Sequence, residues 1–476
     1  MANRFTDTLF QLVQSLEKAE KRHFKLYIKR SSGKEDLKVI QLFDALERMA
    51  EYDEKLIFRK IPSLTKPQLA NLKTHLYKEL LASLRLLKTS DSIDLQLSEH
   101  LDDARILYNK GLKQQSLRII EKAKELARAN QKFNTLVQLI SLEKKIEILH
   151  ITRSPIEKMQ QLAEESMQVS NHINRVTRLS NLALLLFRWY VMNGHVRNKE
   201  DEKDIRTFFK SQFPADIDHV SGFYERLHLY QSYCWYAFIR QDFLMYYRYA
   251  RKWVDLFEEQ PSLKGIETGH YIKGMHSLLN AHFDLRNFKA FDETLAEFEA
   301  FAQTEAANRH DNFQTHTSIY INSARINGHL MKGTFAAGVK LVPEIEEKLE
   351  RYAVFVDQHR ILVFNYKIAS LYFGDGAYEK AIDFLQRIIN GSQELRIDLQ
   401  SYARLMHLLC HYELDNFDIL DSLAKSAHRF MARMKNLTVV EEAMFQFLRK
   451  NFTSRKEVKE ALHQFLEQIK HLEQDR

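Results

Sequence analysis

Residues 368–385 read Ile368-Ala369-Ser370-Leu371-Tyr372-Phe373-Gly374-Asp375-Gly376-Ala377-Tyr378-Glu379-Lys380-Ala381-Ile382-Asp383-Phe384-Leu385. Apolar residues recur at helical spacing on both sides of Gly374-Asp375-Gly376, so the stretch reads as helix, short turn, helix. An aromatic residue, Tyr378, opens the second helix. The same sign returns at Asp242-Phe243, Asn287-Phe288, Thr334-Phe335 and Asn416-Phe417. Between Phe243 and Phe417 the steps are 45, 47, 43 and 39 residues. Each step holds two helices of about 15–20 residues with their turns, one hairpin per unit. Earlier versions of the turn stand at Gly111-Leu112-Lys113, Ser154-Pro155-Ile156 and Asn193-Gly194-His195-Val196.

Composition agrees with a chain of helices. The 476 residues contain 13 glycines and 6 prolines, about 4% together against roughly 12% on average. So few breakers exclude collagen, Pro-rich linkers and low-complexity disorder, and argue against turn-rich all-β and glycine-punctuated α/β folds. Cys234 and Cys410 stand too far apart for a disulfide framework or a four-cysteine zinc module. The N-terminus lacks the apolar run of a signal peptide, and no run of about 18 apolar residues is long enough to span a membrane. A cytoplasmic, all-α protein is expected.

The formal charge is +7. Residues 1–90 hold 18 Lys and Arg against 11 Asp and Glu, and the rest of the chain holds 52 of each sign, so the whole excess belongs to the first 90 residues. Lys18, Arg22, Lys25 and Lys29 are spaced four, three and four apart and share one helix face. They are the expected contact for an anionic partner, nucleic acid included. Residues 36–51 read as a helix, Asp53 as the cap of a short helix over 54–60, and Thr65-Lys66-Pro67-Gln68 as a capping box opening a helix to about Lys88. This order is also that of a helix-turn-helix unit, without a strand-like wing.

The repeating units resemble tetratricopeptide repeats. Ala369 and Ala381 match the small residues where the two helices of that repeat cross, Tyr372 its aromatic and Leu385 its packing partner. Small residues are needed there because the helix axes come within about 8–10 Å. Ala104, Gly111 and Ser116 to Ile120 make a second match, and Cys234, Ala237 and Tyr246 to Ala250 a third. The likeness covers roughly residues 95–435. The steps exceed the 34 residues of that family, and a HEAT-like α-solenoid of about 40–47 residues per unit fits them too. The resemblance implies a right-handed superhelix of stacked hairpins whose first helices line a concave groove. The expected organisation is a basic N-terminal helical domain over 1–92, the repeat domain over 93–437, and capping helices over 438–476.

In the register that the resemblance implies, the groove is lined by Gln231, Trp235, Phe238, Lys273, Asn280, Tyr320, Asn327 and Tyr366. Asn280 and Asn327 hold equivalent places in successive units. An Asn amide both donates and accepts, so it can pair with an extended peptide backbone. Residues 223–257 contain 13 aromatics with five cationic residues interleaved. Most are expected between helices, with some tyrosines at the groove edge because the hydroxyl needs a partner.

His407 and His411, with Cys410 between them, place two imidazoles on one helix face. No third ligand accompanies them, and no metal or cofactor is expected. No nucleophile elbow, phosphate loop, dinucleotide fingerprint or kinase motif occurs. The expectation is a non-enzymatic scaffold or adaptor that binds a protein or peptide in the groove. The alternative is a regulator whose basic N-terminal domain contacts nucleic acid while the repeat senses a partner. Oligomeric state is not legible.

Overall fold

The computed structural model describes residues 7–30, 34–88, 92–149, 156–214, 220, 222–352, 356–391, 396–434, 439–451 and 458–470. Among them every regular element is a helix and no strand occurs. The Ser154-Pro155 turn and residues 471–476 of the expected capping segment lie outside the described residues. The chain divides into two compact units, residues 1–173 and 174–476.

The first unit contains α1 (Thr8–Ser15), α2 (Lys18–Lys29), α3 (Lys34–Glu47), α4 (Glu54–Lys60), α5 (Lys66–Lys88), α6 (Ile93–Asn109), α7 (Lys113–Ala129) and α8 (Phe133–Ile148). It also takes the first half of α9 (Ile156–Asn193), within which the division falls. Two separate apolar cores form here. One gathers Phe10, Phe24, Phe43, Leu46, Leu76 and Leu80 from α1, α2, α3 and α5. The other gathers Leu97, Leu101, Ile120, Leu139, Ile140 and Ile146 from α6 to α8. The first stays within residues 9–84, so the basic N-terminal segment has a core of its own although the compact unit extends to Ile173. The sequence signals set the helix ends here: the Asp53 carboxylate accepts from Lys55 N at 2.8 Å, and Thr65 N donates to Gln68 Oε1 at 3.0 Å. α3 stops at Glu47, short of the expected end at 51.

The second unit follows with α10 (Lys199–Gln212), α11 (Phe223–Arg240), α12 (Phe243–Glu259), α13 (Leu263–Ile266), α14 (Thr268–Asp284), α15 (Phe288–Ala302) and α16 (Glu305–Asn308). Next come α17 (Asp311–Lys332), α18 (Phe335–Val339), α19 (Val342–Arg351), α20 (Gln358–Gly374), α21 (Tyr378–Ile389), α22 (Ile397–Glu413) and α23 (Phe417–Arg433). α24 (Val439–Asn451) and α25 (Val458–Lys470) end the chain. Packing runs in order. Successive helices such as α11 and α12, α14 and α15, α20 and α21, and α22 and α23 touch, and α14, α17, α20 and α22 also touch one another in sequence. One core runs unbroken from Phe223 to Cys410. Ala369 and Ala381 are fully buried between α20 and α21, where a larger side chain would hold the helices apart.

Among the described residues one turn recurs seven times. A residue with positive φ ends the first helix: Gly111, Gln131, Gln241, Arg286, Gly333, Gly376 or Asp415. The next residue donates its backbone N–H to the carbonyl five positions earlier, at 2.8–3.0 Å, as in Ala377 to Tyr372 and Asn287 to His282. The residue after that starts the second helix. This geometry answers carbonyls that the first helix leaves unpaired. It explains why Phe243, Phe288, Phe335, Tyr378 and Phe417 all open helices.

Candidate functional site

The site is built on α11, α14, α17 and α20, the first helices of successive hairpins in the second unit. Tyr320 and Ser323 stand one turn apart on α17. Arg360, near the start of α20, donates from Nη2 to the Tyr320 hydroxyl at 3.2 Å. Lys367, two turns further along α20, donates from Nζ to Ser323 Oγ at 2.6 Å. The Lys273 ammonium, from α14, sits 5.6 Å from the Tyr320 ring centroid and 5.9 Å from that of Trp235 on α11. Cations over aromatic faces are attracted by the ring quadrupole. His276 lays its ring parallel to Tyr320, with centroids 4.0 Å apart. Three cations from two helices therefore converge on one patch of a third.

The electrostatics follow from that convergence. Burial alone would raise the Tyr320 phenol, but the charges of Lys273 and Arg360 outweigh it and hold the group below its usual range. Burial drives the Lys367 ammonium down to about 8, against a partial pull upward by Asp284. Burial also raises the Asp284 carboxyl to about 6. His276 lies well below its ordinary value through burial first, then through Lys273, Lys367 and Arg360. Nearby, Arg396 and Asp398 form a pair at 2.6 Å. Burial opposes ionisation of Asp398, yet the bonds from Arg396 keep its carboxyl low.

Four of the expected groove residues meet here. Trp235, Lys273 and Tyr320 form the cation–ring cluster, and Asn280 is tied to it by donating to His276 Nε2 at 3.1 Å. Gln231 bridges His228 at 2.9 Å and His270 at 3.0 Å. Phe238 packs on Tyr190 and His195, with centroids 5.3 and 4.7 Å away. Tyr366 is half-buried, and burial pushes its phenol up to about 12. Asn327 is only 5% exposed and Tyr320 7%. The Asn280–Asn327 pair therefore does not present two open amides to a backbone: one is bonded to an imidazole and the other is packed between helices.

Arg360 and Lys367 are absent from the sequence-derived set. The inferred register assigned Tyr366 to the inner face and passed over its neighbour. A signal existed: Lys367 is the one charged residue between Arg360 and Asp375 in a strongly apolar helix. A lysine in such a run is seldom buried unless it is paired.

Of the aromatic set, Phe223, Tyr246, Trp253 and Phe257 are buried, whereas Trp235 and Phe238 are only partly so. His407 and His411 have ring centroids 4.6 Å apart. His407 Nε2 is buried with no hydrogen-bond partner, and burial, His411 and Arg404 together lower the ring to about 4. Among the described residues no group of three or more His, Cys, Asp or Glu is placed to hold a metal ion.

In the first unit, Lys18, Arg22 and Lys29 are exposed on α2. Lys25 is instead drawn inward, 2.8 Å from Asp44 and 3.0 Å from Glu47. The hydrogen bond to Asp44 leads in raising its ammonium. One of the four expected anion contacts is thus answered within the fold. Among the described residues no helix is long and apolar enough to cross a membrane.

Comparison of the chain with protein-family models, curated proteins and solved structures finds no match.

Proposed function

We propose that residues 93–437 form a tetratricopeptide-like α-solenoid, a right-handed superhelix of hairpins, that acts as a non-enzymatic scaffold or adaptor. Its first helices hold a peptide or helix from a protein partner. The observation that carries this reading is the row of polar, aromatic and cationic side chains on α11, α14, α17 and α20, from Gln231 and Trp235 to Lys273 and Tyr366. A face meant only for packing is apolar, whereas this one places partly exposed aromatics beside hydrogen-bonding groups, the composition of interaction hot spots. Trp235 and Phe238 supply anchors. Gln231, Lys273 and Asn280 supply donors and acceptors. Asn327 and Tyr320 act from beneath, by shaping the wall. The cytoplasm is the proposed setting, in keeping with the two unpaired, buried thiols of Cys234 and Cys410.

Quantitative pull-down with the full chain tests this. The Gln231→Ala/Trp235→Ala variant should lose a specific partner that wild type and a Leu244→Ala/Lys289→Ala variant both retain; Leu244 is 61% exposed on α12. Equal recovery by all three proteins would count against the groove.

A second reading is favoured by one observation: Lys18, Arg22 and Lys29 share one exposed helix face, and no ion pair engages them among the described residues. In this reading the N-terminal segment touches nucleic acid while the repeat senses a partner. Filter binding of the full chain to duplex DNA and RNA should then fall with salt and fall further in Lys18→Glu/Arg22→Glu/Lys29→Glu. No binding at low salt would remove it.

A further inference from the structure

Lys273 and Lys367 differ from several other half-buried cations of the second unit. Arg175 has Glu225 at 2.7 Å, Arg240 has Glu202 at 2.8 Å, and Arg396 has Asp398 at 2.6 Å. Among the described residues, neither lysine has a carboxylate within ion-pair distance. Lys367 donates to the Ser323 hydroxyl, and Lys273 lies over aromatic faces and beside the Tyr320 oxygen. Asp284 acts on Lys367 without pairing with it. Arg360, the third cation, spends part of its fork on exposed Asp357 at 2.8 Å and turns the other nitrogen to Tyr320.

A half-buried ammonium without a paired carboxylate is costly to the fold. Two such groups aimed at one patch, with a guanidinium beside them, are the arrangement that a bound anion would relieve. The form of the anion follows from the donors. A planar carboxylate is matched by an arginine fork, whereas ammonium groups act as point charges without a preferred plane. Ammonium and hydroxyl groups brought in from α14, α17 and α20 suit oxygens spread in three dimensions.

We propose that Lys273, Lys367, Arg360, Tyr320 and Ser323 form a binding site for a phosphate group, borne either by a small molecule or by a phosphorylated side chain. This site goes beyond the scaffold reading and does not need it. Phosphate binding is read directly on the purified chain, so its failure is distinct from failure of partner recovery.

The test is thermal melting and titration calorimetry of the full chain with inorganic phosphate, O-phosphoserine and succinate at matched ionic strength. Phosphate should raise the melting temperature along a saturating curve, and succinate should not. Tighter binding of O-phosphoserine than of inorganic phosphate would assign the source to a phosphorylated side chain; the reverse order would assign it to a small phosphate. Lys273→Met and Lys367→Met should each weaken phosphate at least tenfold, Lys367→Arg should retain most of the affinity, and exposed Lys289→Met should match wild type. The melting curve of each variant without ligand shows whether it folds. Equal shifts from phosphate and succinate, or an undiminished phosphate shift in both folded methionine variants, would overturn the proposal.

Discussion

The imidazole of His276, on α14, lies parallel to the phenol ring of Tyr320, on α17, with centroids 4.0 Å apart. The contact joins two successive hairpins at the point where Lys273 and Arg360 also meet the phenol. Removing only the hydroxyl separates the two roles of Tyr320. Tyr320→Phe keeps the stack and takes the acceptor away from Arg360, at a cost of about 1–2 kcal/mol. Denaturant unfolding of both proteins measures it; an unchanged midpoint would mean that the hydroxyl contributes nothing.

Acid should destabilise the second unit. His195, His228, His270, His276 and His316 are all held below the ordinary histidine value, burial being the leading cause in each, and His407 is lowered to about 4. Unfolding restores values near 6.5, so the unfolded chain takes up protons that the folded chain refuses. The stability contributed by these neutral rings is complete above about pH 6.5 and is lost as pH falls toward their folded values. Each ring still neutral at pH 5.5 then costs about 1 kcal/mol relative to pH 7.5. Melting of the full chain should drop by several degrees between those two pH values, and equal melting would refute the assignment.

In the first unit, Lys124 and Glu143 are 3% and 1% exposed and 2.7 Å apart. Lys124 also reaches Glu165 at 2.9 Å, and Lys158 reaches Glu143 at 3.0 Å. Lys124→Met leaves Glu143 with one partner in a site closed to water and should cost about 3 kcal/mol. The Lys124→Met/Glu143→Leu double variant should recover much of that loss. Additive losses, measured by a double-mutant cycle, would show that the two residues do not act as a pair.

The recurring turn gives substitutions of opposite sign. Arg286 holds a left-handed backbone (φ 53°) without being glycine. Arg286→Gly should stabilise by about 0.5–1 kcal/mol, because relief of the strained conformation exceeds the added freedom of the unfolded chain. At Gly376 (φ 79°) nothing lies within 4 Å of an added Cβ. Gly376→Ala should therefore cost about 1 kcal/mol for backbone reasons alone. Two shifts of the same sign in the thermal midpoint would contradict the turn assignment.

Helices and turns were legible in the sequence because local chemistry decides them. Asp242, Asn287 and Thr334 announce the helices that begin at the next residue, and Asp53 and Gln68 fix the ends of α4 and α5. The turn at Gln131-Lys132-Phe133 escaped because Lys132 stands where Asp242, Asn287 and Thr334 stand in the other turns, and lysine carries no helix-start signal. The candidate site was legible only in part. Trp235, Lys273 and Tyr320 are positions that counting along the repeat selects. Arg360 and Lys367 are not, because their place depends on how far α20 is rotated against α17, a property of tertiary packing. The burial of Asn327 has the same origin, since one step in helix rotation separates an exposed position from a packed one.

The proposed scaffold role places a partner on the first helices of the repeat. Site-specific photocrosslinking tests it most directly, with a benzophenone side chain placed at position 235 on α11 or at position 244 on α12 of the full chain. A discrete partner adduct from position 235, absent at 244, is the result expected. An adduct from 244 alone, or the same adduct from both positions, would contradict the account.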